Sequence, residues 1–142
     1  MAFIQNNKVI ALTPMILAGK FIDVRKTAQY INDILNFENA IACIEKVHSM
    51  PGQGVSSSFK FGFVTGTMHG IIGTLGISLH LVTPQKWKKE ILEGTAKDKQ
   101  AAADFCARVY PDVNLLATER SRVPHSGMVD ALCIARYASL NL

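Results

Sequence analysis

Long apolar runs are missing from this sequence. Pro14, Gly19 and Lys20 interrupt the first candidate, and nothing else approaches the length of a membrane span. No secretory signal pattern is present either. Cysteine is scarce: Cys43, Cys106 and Cys133 lie inside apolar runs with no CxxC spacing. An odd count without that spacing argues for reduced, buried thiols in an intracellular protein. Repeats, low-complexity tracts and linkers are absent. Acids are outnumbered, with 11 Asp and Glu against 15 Lys and Arg and a net charge of +4. That balance favours an anionic partner, nucleic acid first, with surplus lysine on a solvated face as the plain alternative. What is there is enough for one folded domain: 142 residues, 49% hydrophobic and 18% charged, which excludes a disordered chain.

The chain is organised around Ala40-Ile41-Ala42-Cys43-Ile44-Glu45, followed by a loop rich in Pro and Gly up to Gly54. A short apolar run bounded by turn residues predicts a strand buried on both faces, with Glu45 near its C-terminal end. Ligand sites in open α/β sheets gather at that end. A carboxylate there needs a metal or a basic side chain beside it, or else it simply emerges into solvent next to Lys46.

Before that strand, Met1 to Ile4 and Lys8 to Thr13 flank Asn6-Asn7 and predict a hairpin. Asp23 to Asn36 has helical spacing, with Ala28, Ile31, Ile34 and Leu35 on one face. After it, Ser56-Ser57-Ser58 offers N-cap oxygens to a helix over about 57–75. That helix carries Gly62, Gly66, Gly70 and Gly73, each costing about 1 kcal/mol against Ala, so a close backbone approach is expected on one side. Packing on the sheet is the default partner; a second subunit or a nucleic-acid strand are the others. Ser78 to Thr83 alternates like a strand. Thr83-Pro84 then opens a basic helix to Leu92, with Trp87 as a core anchor and Lys86, Lys88 and Lys89 as its cationic flank. Asp98-Lys99 begins a helix with an apolar stripe of Ala101, Ala102, Phe105, Cys106 and Val109. Thr118 to His125, with Arg120 and Arg122, reads as a basic loop. The last helix spans about 127–140, with Met128, Ala131, Leu132, Ala135 and Ala138 inward and Asp130 in its first turn. The order indicates a mixed α/β domain.

The residues with chemistry are few. Glu45 and Asp130 are carboxylates, His125 precedes the last helix, Lys99 opens another, and Arg120 and Arg122 are cations. Converging carboxylates in a basic setting hold Mg²⁺ against a phosphodiester. The duller explanation of Asp130 is the helix dipole, worth about 0.3–1 kcal/mol. His125 by itself is more often a loop histidine than a ligand.

From Ile41 onward the chain resembles the RuvC-type Holliday-junction resolvases, in particular their compact phage and bacterial branch. Four motifs carry the resemblance, in family order. They are Ile44-Glu45-Lys46-Val47-His48 with Met50-Pro51-Gly52-Gln53-Gly54, Val82 to Lys89, Asp98-Lys99, and Gly127-Met128-Val129-Asp130-Ala131-Leu132-Cys133-Ile134-Ala135. The resemblance implies an RNase H-like mixed sheet flanked by helices. It also implies a cytoplasmic homodimer and Mg²⁺-dependent nicking of branched DNA, with Mn²⁺ as an alternative ion. Glu45 and Asp130 would be metal ligands and Lys99 a contact to the scissile phosphate. Lys46, His48, Gln53, Lys86, Lys88, Arg120 and Arg122 would face DNA. Relatives often carry Asp just before the Gly matched to Gly127; this chain has Ser126 there and His125 beside it. His replaces a carboxylate in some members, which makes His125 a candidate third ligand.

The family also opens with a strand bearing its first catalytic Asp, whereas Met1-Ala2-Phe3-Ile4 matches its second strand. The expectation is an N-terminally truncated chain. A domain without that strand leaves buried backbone groups that cost about 1–3 kcal/mol each, so its sheet should be gapped, re-paired or completed by exchange. Three functions follow: a junction endonuclease, a catalytically deficient DNA-binding relative of the same fold, and, behind them, a small-molecule enzyme or acidic-protein binder using the same basic face.

Overall fold

The computed structural model describes residues 1–35, 39–46, 48, 52 and 54–142. Its elements run β1 (Ala2–Gln5), β2 (Lys8–Leu12), β3 (Leu17–Ala18), β4 (Phe21–Ile22), α1 (Val24–Ile34), β5 (Ile41–Glu45), α2 (Val55–Thr74), β6 (Ser78–Val82), α3 (Pro84–Ile91), α4 (Lys99–Val109) and α5 (Ser126–Asn141). This is the expected mixed α/β content. Among the described residues the strands pair two by two, β1 with β2, β3 with β4 and β5 with β6, rather than in one continuous mixed sheet, and a gapped or re-paired sheet was among the expectations. None of the described helices is long and apolar enough to cross a membrane.

The chain forms two compact units, Met1–Pro14 with Val82–Leu142, and Met15–Leu81. In the first, β1 and β2 make the expected hairpin. Gln5 pairs with Lys8, and Asn6 and Asn7 have φ of 51° and 62°, the positive pair that a two-residue primed turn demands and that Asn tolerates. Register shifts between Phe3 and Ile4, which face Ala11 and Val9, so Ile10 is the extra residue of a bulge. Three helices follow with their starts set by local chemistry. Thr83 Oγ1 accepts from Lys86 N with Pro84 at the first turn, and Asp98 Oδ1 accepts from Ala101 N at 2.8 Å. The third, α5, packs against β1, α3 and α4. The core is where they meet: Trp87, Leu92, Ala102, Cys106, Leu132 and Cys133 are each at most 1% exposed.

Two expectations for this unit are corrected. Val109 was placed on the α4 stripe but is exposed, because the helix ends there and only Ala102 and Cys106 are fully covered. On α5 the buried residues are Met128, Val129, Leu132, Cys133, Ile134 and Tyr137. The alanines at 131, 135 and 138 are half-buried. With neighbours on several sides, α5 hides its larger side chains around much of its circumference rather than along one stripe.

In the second unit Gly19, at φ +63°, turns β3 into β4, a hairpin too short for periodicity to reveal. Asp23 caps α1 by accepting from Lys26 N at 3.0 Å, and Thr27 and Ile31 are the helix's buried residues. Helix α2 packs on α1 and β4. It starts earlier than the serines suggest: Gly54 is its N-cap without a side-chain bond, and Ser56, Ser57 and Ser58 lie inside the helix. The glycine expectation fails as well. A Cβ on Gly62, Gly66, Gly70 or Gly73 would meet nothing within 4 Å, so these glycines do not serve close packing on the sheet. Strand β5 is not buried on both faces. Ile41 is exposed and Ala42 to Glu45 are half-buried, Cys43 with them. A strand in a two-stranded pair has a single neighbour to cover it.

Candidate functional site

Helix α5 is the axis of the first unit's candidate residues. Asp130 is its fifth residue and half-buried. This corrects its placement in the first turn, where no acid stands. A helix dipole acts mainly within that turn, so it accounts for less of Asp130 than the sequence suggested. Asp130 and Lys88 both act on the Cys133 thiol one turn further along. Its pKa is pushed far up, first by the hydrogen bond with Cys106, then by burial and by the charge of Asp130, with Lys88 opposing. The two sulfurs stand 3.6 Å apart in a dry core. Cys133 is held protonated, and both thiols serve packing.

The cations are distributed around this helix. Lys86 is exposed on α3, its Nζ 5.8 Å from the centre of the Tyr137 ring, and its pKa is raised, chiefly by hydrogen bonding to that phenol. Lys88 is half-buried with Nζ 5.4 Å from the Trp87 ring centre. Both arrangements hold an ammonium over an aromatic face, which steers it without neutralising it. Lys99 is the exposed first residue of α4, just behind the Asp98 cap. Arg120 and Arg122 are exposed in the loop before α5. That loop is tied down where Leu115 O accepts from His125 N at 2.8 Å. A phosphate backbone could be gripped by such a set, since it asks for positive charge rather than fixed base contacts.

His125 is the N-cap of α5, its Nδ1 accepting from Met128 N at 3.2 Å. In the second unit Glu45 closes β5 half-buried, Lys46 follows it exposed, and His48 is exposed as well. Gln53 lies outside the described residues. Among the described residues no three His, Cys, Asp or Glu side chains stand together as a cation would need. Mg²⁺ takes several oxygen ligands in near-octahedral geometry, so the described donors do not fit a complete Mg²⁺ site.

Sequence reasoning missed Tyr137, the aromatic under Lys86, and Arg136, which donates to Asn7 Oδ1 at 2.9 Å and ties α5 to the hairpin turn. It also passed over the phenylalanines of α2. Phe59 is 70% exposed, and Phe61 and Phe63 are exposed too, the last in edge-to-face contact with Phe21 at 5.3 Å. The signal was there to find, because α2 is apolar on every side and such a helix needs cover.

No protein-family model matches the chain, and no curated protein matches it significantly. The solved structures do. Thermus thermophilus RuvC is similar with a TM-score of 0.53 and 18% identity, over 94% of this chain and 76% of that one. The fold is RuvC-like. At that identity the likeness speaks for architecture, and chemistry has to be argued from this chain's own residues.

Proposed function

We propose that the chain is an endonuclease of the RuvC type, acting on branched DNA as a homodimer. The observation that carries the reading is the RuvC-like fold combined with the placement of the motifs on it. Glu45 closes β5, Thr83-Pro84 opens the basic α3, Asp98-Lys99 opens α4, and Asp130 stands on α5. Glu45 and Asp130 are proposed as the acids on which cleavage depends, with Lys99 directed to the scissile phosphate. Lys46, His48, Lys86, Lys88, Arg120 and Arg122 would neutralise backbone phosphates on either side. The second copy is assigned to α2, whose exposed Phe59, Phe61, Phe63 and Val64 sit beside a row of uncovered glycines.

Mg²⁺ is the ion the family resemblance calls for, with Mn²⁺ as substitute. Because the described donors do not complete a site, ion binding is a claim to be measured by itself, apart from cleavage. A second reading, a DNA-binding relative that does not cut, is favoured by the two-acid set. A four-way DNA junction separates them. With Mg²⁺ present, the first reading expects nicking that Glu45→Gln reduces by about 100-fold or more while junction binding persists. Binding without nicking by the unaltered chain selects the second. In both cases affinity should fall steeply as salt rises, because counterion release dominates phosphate contacts. Indifference to DNA at low salt would favour the third reading, a small-molecule enzyme or acidic-protein binder.

A further inference from the structure

His125 was a candidate third ligand, yet its imidazole already has an engagement. As N-cap of α5 it has φ −77° and ψ 112°, and its Nδ1 accepts the backbone N–H of Met128, the third helical residue. A neutral imidazole carries one proton between its two nitrogens. An accepting Nδ1 places that proton on Nε2 and leaves Nε2 no lone pair for a cation. To ligate through either nitrogen, the ring would have to lose its remaining proton or swing off the helix and abandon the Met128 N–H.

A second observation points the same way. A Cβ on Gly127 would stand 3.2 Å from His125 Cε1 and 3.4 Å from Nδ1, whereas at every other glycine of the chain it would meet nothing within 4 Å. Gly127 is thus the residue whose missing side chain lets the ring lie against the first turn of α5. One residue supplies the acceptor and the other the space for it. The same His125 donates its backbone N–H to Leu115 O, so the cap also fixes where the preceding loop meets the helix.

We infer that His125 is a positioning residue: seated over Gly127 and bonded through Nδ1, it sets the start of α5 and hence the place of Asp130, and it is not a cation ligand. Its effect on cleavage rests on the reading of Asp130 as one of the two acids; its effect on the helix does not.

The test uses the full chain and three substitutions, with one double variant. Imidazole ¹⁵N NMR of the unaltered protein should show Nδ1 unprotonated and Nε2 protonated, with neither signal moved by Mg²⁺. His125→Ala should lower the folding equilibrium constant roughly 2–30-fold, the range for a lost N-cap, and His125→Ser, a good cap and a poor replacement for imidazole as ligand, should restore most of it. Gly127→Ala should be less favourable with His125 present than in the His125→Ser background, because the two sites share one contact. Cleavage should follow the cap, falling in His125→Ala and returning in His125→Ser. A proton on Nδ1, a Mg²⁺-dependent shift of the ring nitrogens, or additive Gly127 and His125 effects would overturn the inference. So would a His125→Ser protein that folds normally but cuts no better than His125→Ala. Should the unaltered chain fail to cut, the reading of Asp130 falls, while the tautomer and the coupling still decide the cap.

Discussion

Among the described residues, helices α2 and α5 are the two apolar helices, and they meet opposite fates. α5 buries Met128, Val129, Leu132, Cys133, Ile134 and Tyr137 against β1, α3 and α4. α2 is longer, 20 residues against 16, yet buries only Ile71 and Ile72 near its C-terminal end. Its first half leaves Val55 87% and Phe59 70% exposed. Apolar composition therefore sets the demand for burial, and the number of neighbouring elements decides whether the demand is met within the chain. One helix is finished by its own unit. The other presents a surface of the kind that marks an interaction site.

Three measurements can break or sharpen that contrast. The largest effect should come from thiol labelling. Cys106 and Cys133 are fully buried in the α5 core, while Cys43 on β5 is half-buried, its pKa only raised by that burial. If the first two are exposed only by global unfolding, they should react at least ~10³-fold more slowly than Cys43 in the native protein. Comparable rates would mean that the α5 core opens locally. Next is Leu132→Ala, which removes a side chain with no exposure. A loss of about 2–5 kcal/mol in denaturant unfolding is expected, and a loss under ~1 kcal/mol would place α5 in the same class as α2. The smallest is Gly66→Ala, where the added methyl enters open space. In the monomer it should stabilise by about 1 kcal/mol, the helix-propensity difference. If a second copy rests on the glycine row, sedimentation should show weaker self-association at the same time. Unchanged association would show that no second copy rests on the glycine row.

Much of the local architecture was legible in the sequence because it depends on residues three or four apart. Asp23, Thr83 and Asp98 each accept from a backbone N–H three residues on, and Asn6-Asn7 takes the positive φ pair its turn needs. Trp87 could be placed in the core by its spacing on a short basic helix. The serines before α2 misled for a related reason. They are good caps, but the helix extends past them to Gly54, and a cap works only at the first turn. The half-exposed β5, the exposed Val109 and the open glycines of α2 could not be read. Each depends on which distant segment comes to lie alongside, and pattern carries no such information. At the candidate site acids and bases could be named from the chain. The His125 cap is as local as those of Asp23, Thr83 and Asp98, and it was passed over because histidine is not among the usual cap residues.

By itself the sequence determined the mixed α/β content, the helix starts marked by Asp or Thr, and a short roster of charged residues, since these follow from side chains acting on nearby backbone. Tertiary structure alone decided which apolar surface is covered and which is left open, because cover depends on segments brought together by folding.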